Sequence, residues 1–289
     1  MILESMWLKS KLNSFGFILL CCLNIIPLAS GFIYSLAYSF GLVGIGNGFT
    51  LVHWEKILFD FHIYFSFAYS FYIAIVALAI IVFTSLFFAI NFKKKLSKGY
   101  FSYLLHIPLA IPAIVAGFLS FQLFSKSGWI SRFFLSLGVI NNSSQFPDIV
   151  NDDFGISIII THVFIAIPFF TIYFLKLYQS ENLELFSNAS FTLGANHFQT
   201  NQKIIIPILL KAAFPVILLY LLFLFGSYEI PLLLGSQSYE MVSVLAERKL
   251  QRFDLNDIPG GYVIAIIYFL VTSIFVYQSN RIKNNFNHV

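Results

Sequence analysis

Long apolar runs, separated by polar connections, make up most of this chain of 289 residues. Six runs are long enough to cross the roughly 30 Å hydrocarbon core of a bilayer. They lie near residues 15–40, 62–91, 101–124, 155–175, 209–235 and 262–279. Helices are the predicted spanning form, because lipid offers no partner to an unpaired backbone amide, and runs without alternation argue against a barrel. The pattern therefore predicts an all-α polytopic membrane protein with six transmembrane helices.

Composition supports this interpretation. Hydrophobic residues make up 58% of the chain and charged residues 10%, whereas a soluble domain has about 25% charged residues. A soluble protein of this length could not bury so much apolar surface. The first run is too long for the apolar region of a signal peptide and lacks a clean cleavage site, so we expect it to remain as a span. Cys21 and Cys22 are adjacent in that run and suggest neither a disulfide framework nor a metal site.

The charges predict an orientation. Eleven of the 17 basic residues lie on one side of the predicted spans: Lys9, Lys11, Lys93, Lys94, Lys95, Lys98, Lys176, Lys203, Lys211, Arg281 and Lys283. The other side has the remaining six basic residues: Lys56, Lys126, Arg132, Arg248, Lys249 and Arg252. It also has nine of the 13 acidic residues. Because basic residues concentrate in cytoplasmic loops, both termini are predicted to be cytoplasmic.

A polar stretch, residues 181–207, interrupts the apolar pattern between the fourth and fifth predicted spans. It is predicted to lie in the cytoplasm. Its apolar residues recur at spacings of three, three and four, as on one face of a short amphipathic helix: Leu183, Phe186, Ala189 and Leu193. Ser187 or Asn188 could cap a turn of this helix.

A glycine divides the stretch. Gly194 is free to take a positive φ and so to end the first helix. Asn196 is then expected to cap a second short helix, which runs into Pro207 at the membrane entry. The pattern predicts two short helices joined at a glycine. An interfacial helix that only rests on lipid is the alternative on physical grounds.

The spacing of these residues resembles the EAA motif in the permease subunits of ATP-binding-cassette (ABC) importers. That motif reads Glu-Ala-Ala, three residues, Gly, nine residues, Ile, one residue, Leu, Pro. The run Thr192-Leu193-Gly194-Ala195 also resembles a common form of this segment. The residues that carry the resemblance are Asn188, Ala189, Ser190, Leu193, Gly194, Ala195, Ile204, Ile206 and Pro207. Asn188 stands where the motif has Glu, and Ser190 where it has the second Ala.

Other segments resemble the spermidine/putrescine-type branch of these permeases. They are FTLVHWEKIL (49–58), IPLAIPAIVAGFL (107–119), SKSGWISRFFLSLGVI (125–140), FGSYEIPLLLG (225–235) and EMVSVLAERKL (240–250). The resemblance implies a MetI-like type I importer permease fold, with residues 1–289 forming one transmembrane permease domain. It also implies that the loop at 181–207 docks on a cytoplasmic ATPase and transmits its ATP-driven closure to the spans.

The resemblance further implies a set of partners. These are two cytoplasmic ATP-binding-cassette ATPase subunits, a second permease subunit (this chain or a similar one) and an extracytoplasmic solute-binding protein. The expected location is the bacterial inner membrane, with the lipid bilayer around the spans. Nucleic acid is not expected as a partner.

Glu229 is the only acidic residue inside a predicted span. An ionisable group at such depth is costly and usually faces a cavity or a partner. With Ser227 and Tyr228 it forms the candidate translocation path, although a carboxylate near the interface is the alternative. His162, a lone histidine in the fourth predicted span, is interpreted as a hydrogen-bonded structural residue.

Motifs for catalysis are missing from the sequence. There is no G-x-x-x-x-G-K-[ST] phosphate loop, no H-E-x-x-H, no C-x-x-C and no G-x-S-x-G. We therefore expect no cofactor and no metal, and ATP hydrolysis on separate subunits. An ion- or proton-coupled secondary transporter with Glu229 as its coupling carboxylate is the rival hypothesis. The glycine-jointed loop favours the importer, because a secondary transporter has no use for it.

Overall fold

The structure is a computed structural model that describes residues 2–44, 48–96, 99–236, 238–251 and 254–286. Side chains are described for these residues except 2–15, 17–18 and 280–286. Some of the charges used for the orientation therefore lie outside the described residues or side chains: Lys98, Arg252, Lys9, Lys11, Arg281 and Lys283.

All regular structure among the described residues is helical, which confirms the all-α prediction. The α-helices are α1 (Ile2–Ser39), α2 (Val52–Leu58), α3 (Phe61–Asn91), α4 (Lys93–Leu96), α5 (Tyr100–Leu104), α6 (Ala113–Phe124), α7 (Trp129–Ser136), α8 (Ile156–Ser180), α9 (Leu183–Thr192), α10 (His197–Thr200), α11 (Ile206–Phe225), α12 (Glu229–Leu234), α13 (Val242–Leu250) and α14 (Ile258–Phe286). Short 3₁₀ turns occupy Pro108–Ala110 and Ser143–Gln145, and a π-turn occupies Asn201–Ile205.

Five helical segments among the described residues are long and apolar enough to cross a membrane: Leu19–Ser39, Phe61–Asn91, Ile156–Ser180, His197–Phe225 and Ile258–Ser279. The third predicted span, 101–124, is instead a pair of segments, Tyr100–Ala110 and Ala113–Ser136, bent by 97°. The break falls at Ile111 and Pro112, both in extended backbone. Proline disfavours helical backbone in the residue before it, which accounts for the bend.

The fifth span begins and ends earlier than the predicted 209–235. Its helix is continuous from His197 to Phe225, and residues 229–234 form the separate helix α12. Gly226 is the C-cap residue of α11, and its N–H makes the last helical bond, to Leu222 O. The second short helix expected before Pro207 is α10, which Asn196 caps, but it does not end before the proline, because it continues through the π-turn into this long helix. The helix widens into its π-turn just before Pro207, where the proline has no N–H to donate.

The chain divides into two compact units, Met1–Phe61 with Ala246–Phe275 and His62–Leu245 with Val276–Val289. A single permease domain over residues 1–289 stays a prediction. Aromatic rings join α1 to α14 in the first unit, where the ring centroids of Tyr38 and Tyr262 are 4.8 Å apart.

The second unit has its core where α8 packs against α6, α11 and α12. Its fully buried side chains include Ile158, Phe170, Phe174, Leu209, Leu224 and Ile230. Gly117 lets α6 approach α12, because a Cβ there would lie only 3.1 Å from Leu233 Cδ1. Lipid tails are as apolar as these side chains, so close packing holds the helices together.

Gly155, the residue before α8, has φ +64° and lies close to side chains of α3. An added Cβ would overlap the Ile73 side chain and lie 2.7 Å from Tyr69 Oη. Gly155→Ala should therefore lose about 1–2 kcal/mol of unfolding free energy from backbone strain, and about 1–3 kcal/mol more from overpacking. Thermal unfolding of the detergent-solubilised protein measures the loss.

Gly138→Ala is the matched control for that variant. Gly138 has φ +72°, but an added Cβ would meet nothing within 4 Å. The Gly138→Ala variant should therefore lose only the unfolding free energy that corresponds to backbone strain, about 1–2 kcal/mol. Equal destabilisation of the two variants would show that the packing of α3 against Gly155 is unimportant.

Candidate functional site

The segment from Leu183 to Thr200, here named the coupling turn, connects α8 directly to the helix that contains α11. Only Glu181 and Asn182 separate α8 from α9, and Asn182 takes a left-handed backbone with φ +50°. Leu183 follows as a fully buried residue at the first turn of α9. The helix thus starts before Ser187 and Asn188, and the prediction that either of them caps a turn is wrong.

Gly194 ends α9 with the predicted positive φ, +82°. Its N–H donates to Phe191 O at 3.0 Å, and Ala195 N–H donates to Ser190 O at 3.0 Å. These two bonds form a Schellman motif, which satisfies carbonyls that the last helical turn would otherwise leave unpaired. Gly194 thus joins the two helices through a closed hydrogen-bonded turn.

Asn196 caps the next helix, as the sequence predicted. Its side chain accepts from Gln199 N–H at 2.8 Å, while the Gln199 side chain accepts from Asn196 N–H at 3.1 Å. This reciprocal pair is a capping box. The rings of Phe191 and His197 also meet edge to face across the turn, with centroids 4.6 Å apart.

Ser190 and Thr200 make a contact that the sequence analysis missed. Their hydroxyl oxygens are 2.8 Å apart, and both residues are buried. Ser190 also donates to Ser187 O. Because Ser190 occupies a position where the motif has Ala, this chain has a hydrogen bond across the turn that an alanine could not make. The sequence did show a polar residue, Ser190, at a small apolar position of the motif. It could not show that the partner of this residue is Thr200, ten residues away.

The coupling turn exposes large apolar side chains beside its exposed polar ones. The most exposed of the large apolar side chains are Leu193 at 88%, Phe198 at 72%, Leu185 at 69% and Phe186 at 52%. Sequence periodicity placed Phe186, Ala189 and Leu193 on one face with Leu183, but only Leu183 is buried. The other three are exposed, because α9 packs by its first turn and by Ser187 and Ser190 instead.

The remaining motif positions are spread along the turn and the helix after it. Asn188 is exposed, and Ala195 is half-buried. Ile204 lies in the π-turn, while Ile206 and Pro207 begin α11. Residues 188–200 therefore lie together in the coupling turn. The last three motif positions lie on the helix that follows this turn.

The candidate translocation residues lie at the other end of that helix. Ser227 is buried, Tyr228 is half-buried and Glu229 is exposed. Glu229 is the first residue of α12 and follows the end of the long helix at Phe225, whereas the sequence placed it inside the fifth predicted span. About 38 Å of helix, the 25 residues from Asn201 to Phe225, separates these residues from the coupling turn.

Comparison with known proteins identifies the family. Residues 81–284 match the family described as binding-protein-dependent transport system inner membrane component, and this range covers more than half of the chain. The chain belongs to that family. This confirms the predicted resemblance to binding-protein-dependent permease components, and the long apolar helices of the described residues indicate a multi-pass membrane protein.

One curated relative is the sulfate transport system permease protein CysT of Synechocystis sp.. It is 26% identical over 177 residues, which cover 61% of this chain. The chain spans 58% of the length of that relative.

Two solved structures share the fold at 16% sequence identity. One is a bacterial ABC transporter involved in the import of the acidic polysaccharide alginate, with a TM-score of 0.72, covering 98% of this chain and 96% of the other. The second is a bacterial alginate ABC transporter in complex with an alginate pentasaccharide-bound periplasmic protein, with a TM-score of 0.66 and coverage of 97% and 96%. These matches confirm the predicted ABC permease fold.

The Ser190–Thr200 bond leads to a testable prediction. Ser190→Ala should lower the unfolding free energy by about 1–3 kcal/mol, because it removes the Ser190 partner of the buried Thr200 hydroxyl. Thr200→Val should lose about 0.5–1.5 kcal/mol, because Ser190 keeps its bond to Ser187 O. The double variant should lose little more than Ser190→Ala alone. A double-mutant cycle on thermal unfolding measures this coupling.

Thr192→Val serves as the control, because the exposed Thr192 hydroxyl bonds only to Ala189 O in its own helix. It should change stability much less. Fully additive losses from Ser190→Ala and Thr200→Val would contradict a bond across the turn.

Proposed function

We propose that this chain is the transmembrane permease subunit of an ABC importer, which forms the translocation path for a small solute. The coupling turn and the motif residues up to Pro207 connect it to cytoplasmic ATPase subunits. The observation that carries the proposal is the closed helix–glycine–helix turn, in a chain of the binding-protein-dependent family. ATP hydrolysis takes place on the separate subunits.

The turn suits a docking role because it is braced and exposes apolar side chains. The Schellman motif, the capping box and the Ser190–Thr200 bond hold its two helices in one arrangement. Leu193 and Phe198 project apolar surface outward, and a fitted partner groove would remove that surface from water. A force applied to the turn then passes to α8 on one side and to the 29-residue helix on the other.

The proposed assembly includes two ATPase subunits and a second permease subunit, which is either this chain or a similar one. An extracytoplasmic solute-binding protein delivers the solute, as the solved alginate transporter with its periplasmic protein suggests by analogy. Both termini and the coupling turn face the cytoplasm of a bacterial cell, and the chain lies in its inner membrane. The proposal of orientation rests on the distribution of Lys and Arg.

Ser227, Tyr228 and Glu229 are the proposed path residues. They lie between α11 and α12 or at the start of α12, and an ionisable side chain within a membrane usually serves a path or a partner. The segments that resemble the spermidine/putrescine branch, together with the Glu229 carboxylate, favour a cationic solute. The names of the similar proteins instead contain sulfate and alginate, so the solute class must be tested with all three.

The test is uptake into proteoliposomes that contain the complete set of subunits, with ATP and the proton gradient varied independently. The solutes are labelled putrescine, sulfate and an alginate oligosaccharide. Uptake of one of them should require ATP and ignore a protonophore. Glu229→Gln, which removes the charge but keeps the size, should change the affinity or rate for a cation and leave the ATP requirement intact.

Gly194→Val tests the coupling role in the same assay. A β-branched residue at φ +82° is strained by about 1–3 kcal/mol and should misdirect the docking helix. Uptake should fall at least tenfold while the variant still inserts in the membrane. Uptake that follows the proton gradient and ignores ATP would instead support a proton-coupled carrier that uses Glu229.

A further inference from the structure

The break between α11 and α12 has an unusual set of hydrogen bonds. Residues Gly226, Ser227 and Tyr228 are not helical, although they lie within a long apolar stretch. In lipid or in a buried core, each backbone group freed by such a break costs several kcal/mol unless it finds a partner. Side chains from two other helices supply partners to Ser227.

His162 of α8 supplies the first of these contacts. Its Nε2 is 3.0 Å from Ser227 Oγ, and both residues are buried, with exposures of 3% and 8%. Ser243 of α13 supplies the second, because its hydroxyl donates to Ser227 O. The Ser227 N–H donates back to Leu224 O at the end of α11. Ser227 is therefore held by α8, α11 and α13 together, a contact that we name the break bridge.

The break bridge joins the two helices that leave the coupling turn. The part of α8 after His162 runs to the end of that helix at Ser180, and the chain then continues almost directly into α9. The long helix that starts at His197 ends at Phe225, one residue before the break. A displacement of the coupling turn therefore reaches the break along both helices, and His162 and Ser227 lock their remote ends to each other.

We propose that His162 is a positioning residue that makes Tyr228 and Glu229 follow the movement of the coupling turn. Its hydrogen bond to Ser227 transmits that movement to the break, where Ser227 and Tyr228 lie outside both helices. The inference rests on the proposed function, because it assigns the transmission step within an ATP-coupled permease. Without this bond, the turn can still move, but the residues at the start of α12 follow that movement less closely.

The test measures cysteine labelling in the assembled importer, in a background that lacks Cys21 and Cys22. Glu229→Cys reports on the break, and Leu185→Cys reports on the exposed surface of α9. Maleimide labelling rates are compared without nucleotide and with a non-hydrolysable ATP analogue. In the otherwise unchanged chain, both positions should change their rate at least threefold between the two states.

His162→Leu should reduce the response at position 229 to less than 1.5-fold and leave the response at position 185 intact. His162→Gln places an amide near the position of Nε2 and should restore most of the response. Ser227→Ala removes the other partner and should act like His162→Leu, so the prediction can be checked even if His162→Leu does not assemble.

Three outcomes would overturn the inference. The first is a normal response at position 229 in both His162→Leu and Ser227→Ala. The second is an equal loss in His162→Gln and His162→Leu, which would assign the effect to packing. The third is no nucleotide response at position 229 in the unchanged chain while uptake remains ATP-dependent, in which case the proposed function stands without this step. Failure of the ATPase subunits to bind at all would refute the proposed function itself.

Discussion

Backbone N–H and C=O groups must be paired wherever a helix of this chain is interrupted in an apolar environment, because lipid supplies no hydrogen bonds. The end of α11 satisfies this constraint with one local and one tertiary backbone contact. Ser227 N–H donates to Leu224 O, Ser227 O accepts from the Ser243 hydroxyl, and the Ser227 side chain contacts His162. These contacts stabilise the non-helical backbone beside the residues proposed to line the path.

The coupling turn satisfies the same constraint with local partners. The Schellman motif at Gly194 and the capping box at Asn196 close the ends of the two helices within a few residues. The buried Ser190–Thr200 bond then ties one helix to the other. A turn braced in this way transmits a displacement, whereas a flexible loop would absorb it. This difference is the physical basis for assigning it a mechanical role.

Features that depend on neighbouring residues could be predicted from the sequence. The positive φ of Gly194 and the cap at Asn196 follow from local rules about glycine and asparagine. High hydropathy located five of the six spans as long helices. It could not reveal the break after Phe225, since residues 209–235 are apolar on both sides of it.

Contacts between distant residues could not be predicted. His162 and Ser227 are 65 positions apart, and one sequence carries no signal that pairs them. The exposed Phe186 and Leu193 show a related limit. Periodicity indicates which residues share a face of a helix, but it does not show whether the protein, the lipid or a partner covers that face.

If the coupling turn is where this chain receives force from the ATPase subunits, it must be covered when they bind. Hydrogen exchange of the permease in nanodiscs, with and without those subunits, measures this directly. We expect at least tenfold slower exchange of backbone amides in α9 and in residues 194–200 when the subunits bind, and unchanged exchange in α7. Bound ATPase subunits that leave exchange at the coupling turn unchanged would show that they dock elsewhere.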